Sequence, residues 1–319
     1  MSLEWAKIEP EEGIYSNEAI DHYRKVLECC KKNNLKTCVT YQHFTSPLWC
    51  TPKGGWEKSE NVKHFLSYAE KVTNELGDLI DIVCTINEAN LTACFAHSFQ
   101  SYPENGMKTI MPFIKEAAEE CGSTLENFGP FLFGHPFKIR DCMMEAHVKS
   151  VPIIKSILNN NQPVGVTLSI MDYQAAEGGE KVRDQAYAES VDCCLDQVTN
   201  DDFVGVQMYT RHTYGPDGII KPKADDPNML VMGYEYYPES LENVVRYVSS
   251  RIKTPIMITE NGIGTDNDNQ RIEYLTTALQ GLQNCIDDGI DIRGYFCWSL
   301  LDNFEWLFGY KPRFGLVEV

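Results

Sequence analysis

Two glutamates close short apolar runs, and the two runs share a design. The first is Ile82-Val83-Cys84-Thr85-Ile86-Asn87-Glu88; the second is Pro255-Ile256-Met257-Ile258-Thr259-Glu260-Asn261-Gly262. Each sets a carboxylate directly after a β-branched, strand-forming segment, and turn-forming residues follow the second. In a parallel α/β barrel the C-terminal strand ends converge on one open face. Two carboxylates held there about 5 Å apart can cleave a glycosidic bond with retention, one giving a proton and the other attacking carbon.

Such placement needs strands alternating with helices, and the pattern runs from end to end. Strands are expected over 2–7, 36–42, 80–87, 164–170, 202–209, 255–260 and 292–299. They are rich in Val, Ile, Leu and Thr without strict alternation, as strands covered on both faces should be. Helices are expected over 17–33, 59–76, 140–160, 180–198, 238–253 and 269–288, with Ser16 or Asn17 and Ser59 as start signals. The stretch 97–135, rich in Gly, Pro and aromatics, reads as a large loop with a helix inside it, on the same barrel face as Glu88. Seven strands fall one short of a closed TIM (β/α)8 barrel. No linker, repeat or low-complexity tract divides 1–319, so one catalytic β/α-barrel domain is expected.

Net charge is −18, which argues against nucleic acid or an anionic membrane surface as partner. No apolar run approaches the length of a transmembrane helix, and Met1-Ser2-Leu3-Glu4-Trp5-Ala6-Lys7 lacks the blocks of a signal peptide. The 12 cysteines show no CxxC and no zinc spacing, so reduced thiols in a cytoplasmic protein are expected. Asn90-Leu91-Thr92 is a formal glycosylation sequon beside Glu88 and reads as chance. Gly262-Ile263-Gly264 is too short to cradle a phosphate, and Asp266 and Asp268 lack the rest of a calcium loop. No cofactor and no metal are expected.

Four segments together resemble glycoside hydrolase family 1, the β-glucosidase family. They are Thr85-Ile86-Asn87-Glu88, Ile258-Thr259-Glu260-Asn261-Gly262, Trp298-Ser299-Leu300-Leu301-Asp302-Asn303-Phe304-Glu305-Trp306 and Gly309-Tyr310-Lys311-Pro312-Arg313-Phe314-Gly315-Leu316. Ser2 to Pro10, Val39 to Phe44 and Asp202 to Thr210 resemble the family's second, third and sixth strand regions, in family order. The resemblance implies an incomplete TIM barrel with strands 2–8 present and the first strand and last helix missing. With the first strand would go a sugar-binding glutamine, and with the residues before Ser2 an arginine that supports the nucleophile. Ala89 stands where the family usually has proline, which should loosen the backbone beside Glu88.

By that resemblance Glu88 is the acid/base and Glu260 the nucleophile. Glu88 then needs a dry setting that keeps its proton, and Glu260 needs donors that keep it charged. Tyr209 resembles the tyrosine that donates to the nucleophile. Asn87 resembles the residue on the sugar 2-hydroxyl, and His43 the one on the 3-hydroxyl. Glu305 resembles the ligand of the 4- and 6-hydroxyls, with Trp306 near the 3-hydroxyl. Trp298 is a candidate platform under the sugar, Phe314 a candidate wall, and Gln207 a further contact in place of the usual asparagine. The implied activity is hydrolysis of unphosphorylated β-glycosides or oligosaccharides. Glu305 would repel a phosphate, which disfavours a 6-phospho-β-glycosidase. A catalytically impaired fragment or sugar-binding pseudoenzyme stays open as an alternative. Open barrel edges are expected to promote self-association.

Overall fold

A computed structural model describes residues 1–99, 104–158, 162–223 and 226–319. Two compact units divide the chain: Met1–Thr167 with Asn200–Phe203, and Leu168–Thr199 with Val204–Val319.

In the first unit the expected strand over 2–7 does not form. Only Ser2 bridges to Thr40, with Leu3 N donating to Thr40 O at 2.8 Å. The chain then turns into the short helix α1 (Trp5–Ile8), because the Glu4 carboxylate accepts from Ala6 N and caps it. Burying Trp5 favours this turn: its ring stacks on Tyr68 at 5.2 Å and its Nε1 donates to Glu9 Oε2 at 2.7 Å. Helix α2 (Asn17–Lys32) starts where the serine predicts, with Ser16 Oγ accepting from Ala19 N at 3.2 Å. Strand β1 (Cys38–Gln42) leads through α3 (Val62–Leu76) to the parallel strand β2 (Ile82–Ile86). Helix α3 buries Phe65, Tyr68, Ala69, Val72 and Leu76, the i, i+3, i+4 stripe of an amphipathic helix.

The stretch 97–135 is largely helical rather than loop. It contains the end of α4 (Leu91–Phe99), all of α5 (Glu104–Glu120) and a 3-10 turn at Leu125–Asn127. Its residues 100–103 lie outside the described residues. Helix α6 (Pro136–Ile157) starts four residues before its expected 140, since Pro136 at N1 and the His135 side chain bonding Lys138 N make a start there. The expected residues 159 and 160 of that helix lie outside the described residues. Strand β3 (Val164–Ser169) pairs parallel with β2, Val83 opposite Val164.

The second unit opens with β4 (Asp172–Ala175). The expected helix 180–198 is α7 (Glu180–Tyr187), a π-helical turn at Ala188–Asp192, and α8 (Cys193–Leu195). Strand β5 (Phe203–Met208) follows, its Phe203 belonging to the first unit. Next come β6 (Arg211–Gly215) and β7 (Gly218–Ile219), which join β4 in a three-stranded sheet that no periodicity announces. Helix α9 (Ser240–Arg251), β8 (Ile256–Asn261), α10 (Asp268–Asp287) and β9 (Ile292–Cys297) complete the unit. Strands β5, β8 and β9 are parallel neighbours. Strand β5 is buried along its whole length, which explains its apolar start at Phe203–Val206; the buried polar residue Gln207 follows. On β9, by contrast, Phe296 is 39% exposed, and among the described residues no strand pairs with its far side.

Candidate active site

Strand β2 delivers Asn87 and Glu88 beyond its last residue. Asn87 N still donates to Gln42 O at 2.8 Å, so the ladder carries it to the strand end. Glu88 leaves the ladder with φ at 45°, a left-handed conformation unusual for a residue with a side chain. Its N–H donates to Thr167 Oγ1 at 3.0 Å, and its carbonyl accepts from Leu91 N at 2.9 Å as α4 begins. Only 2% of Asn87 and 8% of Glu88 are exposed, so both residues are buried. Ala89 follows at the strand exit. It is buried, and its N–H donates to Thr167 O at 3.2 Å, a tie that proline could not make.

His43 follows β1 directly, and its Nε2 lies 3.4 Å from Asn87 Nδ2. Burial pulls its imidazole down to about 4, so it is neutral at pH 7. Phe44, at φ 67°, backs His43 edge-on and stacks on Phe131 at 5.1 Å. The first unit thus gathers three of the expected residues: His43, Asn87 and Glu88. Asn90 of the sequon is fully buried, with Nδ2 3.4 Å from Cys94 Sγ, so no glycan fits there.

In the second unit Glu260 sits near the end of β8. A register shift between Val206 and Gln207 puts Gln207 opposite Glu260. Gln207 Nε2 then donates to Glu260 Oε1 at 2.9 Å, and Tyr209 Oη donates to Oε2 at 2.6 Å. Both carboxylate oxygens therefore have a donor, which favours the charged form and fixes the carboxylate plane. Tyr209 is held in turn. Its carbonyl accepts from Tyr274 Oη at 3.0 Å, and Phe314 meets its ring edge-on at 6.0 Å. After it, Thr210 Oγ1 donates to Glu235 O at 2.7 Å, and Arg211 grips the Glu235 carboxylate with Nε and Nη2.

Asn261, fully buried, ties β8 to its neighbours. Its Nδ2 donates to Met208 O at 2.8 Å, and its Oδ1 accepts from Tyr295 Oη at 2.9 Å. Gly262 must be glycine, because a β-carbon there would come within 1.8 Å of Trp298 O. Trp298 N donates back to Asn261 O at 2.9 Å, so β8 and the Trp298 segment close on each other. Glu305 accepts from Asn303 Nδ2 at 2.7 Å, and its N–H donates to Gly309 O at 2.7 Å. Trp306, φ 45° and 43% exposed, opens a 3-10 turn beside it. Phe314 is buried against Tyr209 and Gly264.

Among the described residues no three His, Cys, Asp or Glu side chains group as a metal site. A cavity of about 510 Å³ lies elsewhere in the second unit, lined by Asp172, Tyr187, Asp192, Tyr247, Arg251 and neighbours. None of the expected site residues line it. The residues that sequence reasoning passed over are supports: Thr167, Asn261, Tyr274 and Tyr295. Three of them sit amid ordinary strand or helix patterns, and Asn261 stood in a motif without a role of its own.

The family model for glycosyl hydrolase family 1 matches residues 1–214 and 199–319. The solved β-glycosidase BGL167 is 41% identical with a TM-score of 0.91, the alignment covering 100% of this chain and 76% of that one. A β-glycosidase from Pyrococcus horikoshii is 31% identical with a TM-score of 0.78, covering 100% and 74%. The galactolipid galactosyltransferase SFR2 of Arabidopsis thaliana is 28% identical over 337 residues; this chain spans 51% of its length. The likeness to these barrels, with six parallel strands and helices between them, sets the fold class as an incomplete TIM barrel.

Proposed function

We propose that this chain, which belongs to glycosyl hydrolase family 1, carries the machinery of a retaining β-glycosidase acting on unphosphorylated β-glycosides. In this reading Glu88 protonates the leaving oxygen while Glu260 attacks the anomeric carbon. The C–O bond to the leaving group breaks and a glycosyl ester on Glu260 forms. Water then attacks the anomeric carbon while Glu88 takes a proton from it, the C–O bond to Glu260 breaks, and Glu260 leaves as carboxylate. Asn87 and His43 take the 2- and 3-hydroxyls, and Glu305 and Trp306 the far side of the ring. Gln207 adds a contact beside the nucleophile, with Trp298 as platform and Phe314 as wall. The single domain 1–319 acts as the catalytic barrel.

The observation that carries the reading is the clasped carboxylate of Glu260, with Tyr209 and Gln207 each on one oxygen. A nucleophile must be ionised and aimed, and two donors on two oxygens do both. Glu305 supports the unphosphorylated substrate, because a second anion beside it would be repelled. Twelve cysteines without a CxxC or zinc spacing support a reducing, cytoplasmic setting, and no described helix is long and apolar enough to cross a membrane. The open side of β9, with exposed Phe296, supports self-association.

The test is hydrolysis of 4-nitrophenyl β-glucoside, β-galactoside and β-fucoside, with Glu260→Ala as control and proton NMR of the first-formed anomer. Turnover lost in the variant and a first-formed β-anomer are expected. A folded wild-type sample without turnover favours the pseudoenzyme, and faster cleavage of a 6-phosphoglucoside overturns the role given to Glu305.

A further inference from the structure

We propose that Thr167 is a positioning residue whose single hydroxyl sets both Glu88 and Asn87. The inference rests on the roles proposed above for those two residues. Thr167 is buried on β3, and its Oγ1 accepts the Glu88 N–H at 3.0 Å. The same hydroxyl gives its one proton to Asn87 Oδ1 at 3.3 Å. That second bond decides which end of the Asn87 amide faces which way. With Oδ1 turned to Thr167, Nδ2 is the end toward His43 Nε2. An amide nitrogen only donates, so Nε2 accepts, as a neutral imidazole protonated on Nδ1 does. The Thr167 hydroxyl therefore bears on both the orientation of Asn87 and the tautomer of His43.

The Thr167 main chain adds a third tie through Ala89 N. Two consecutive N–H groups, of Glu88 and Ala89, thus end on one residue. Between them Glu88 keeps its left-handed φ of 45°, a conformation that persists only where the surroundings over-determine it. Alanine at 89 leaves this anchoring to hydrogen bonds. Without the hydroxyl, the Glu88 N–H would lose its acceptor in a dry place and Asn87 would lose the donor that orients it.

Thr167→Val keeps the shape and removes the hydroxyl, and Thr167→Ser restores it. Both are measured on the 4-nitrophenyl glycoside that wild type cleaves fastest and on its 2-deoxy counterpart. Thr167→Val should lose about 30-fold in kcat/KM on the parent but at most about 5-fold on the 2-deoxy substrate, which lacks the group Asn87 would hold. Thr167→Ser should stay within about 3-fold of wild type. Equal losses on the two substrates overturn the Asn87 arm of the proposal, and no loss on either overturns both arms. A crystal structure of Thr167→Val gives a second readout independent of turnover. Glu88 φ or the Asn87 side chain should move; both unchanged overturns the proposal. Should folded wild type cleave neither substrate, the functional reading fails, and the crystal structure of Thr167→Val, set beside the wild-type geometry, alone decides the role of Thr167.

Discussion

Replacing Tyr209 with phenylalanine removes one hydroxyl and little else. The ring keeps its edge contact to Phe314 at 6.0 Å and its neighbour Tyr234 at 6.5 Å. What disappears is the 2.6 Å bond to Glu260 Oε2, while Gln207 keeps its 2.9 Å bond to Oε1. A short hydrogen bond to a carboxylate is worth about 2 kcal/mol, or roughly 30-fold in rate if it is made in the transition state for glycosyl-ester breakdown and formation. The sign of the pH effect follows from the same bond. A phenol donating to the carboxylate favours its charged form, so losing the donor makes Glu260 easier to protonate. In the proposed role of nucleophile Glu260 works only when ionised, so the acid limb of kcat/KM should move to higher pH in Tyr209→Phe. The assay is kcat/KM against pH on an aryl β-glycoside for both proteins, with thermal melts to establish equal folding. A loss under about 3-fold with an unmoved acid limb would refute the account of the clasp.

Gly262→Ala should destabilise the second unit whatever the protein's activity. A β-carbon 1.8 Å from Trp298 O forces the carbonyl away and strains its neighbouring bond to Asn261. A cost of about 3 kcal/mol and a melting point lower by roughly 6–10 °C are expected, and a melt within about 2 °C of wild type would contradict the packing. His43 and His212 are each pulled down to about 4 by burial, from an ordinary 6.5. The unfolded chain therefore binds protons first, so stability is full above pH 6.5 and falls as pH drops toward 4. His212→Gln should flatten that slope in urea unfolding at several pH values; an unchanged slope would exclude His212 as a contributor. Light scattering on a sizing column should find dimers or larger species joined through the β9 side, and a monomer at roughly 100 μM would argue against that edge as an interface.

Strand and helix identity was legible wherever burial is two-sided or helical. Phe203–Val206 and Ile256–Ile258 are continuous runs without a polar side chain because both faces are covered, and Ser16 announced its helix by its own chemistry. The expected strand over 2–7 failed because apolar content there serves Trp5, whose burial against Tyr68 needs a helical turn. The sheet of β4, β6 and β7 went unread, since its strands of two to five residues carry too little periodicity. Chemistry was legible in the same measure. Two strand-end carboxylates, Glu88 and Glu260, stand out from the sequence pattern, whereas Asn87 and Tyr209 are singled out only by the family resemblance of their segments.

Sequence by itself determined the alternation of the barrel and the identity of the residues at its strand ends. Both are local properties, written in short-range patterns of burial and turn chemistry. Only the tertiary structure decided how those residues are held. The register shift beside Gln207, the left-handed turn at Glu88 and the hydroxyl of Thr167, 79 residues from the N–H it accepts, arise between segments far apart in the chain. Hydrogen-bond geometry between distant strands depends on how each is packed, and no local pattern encodes that.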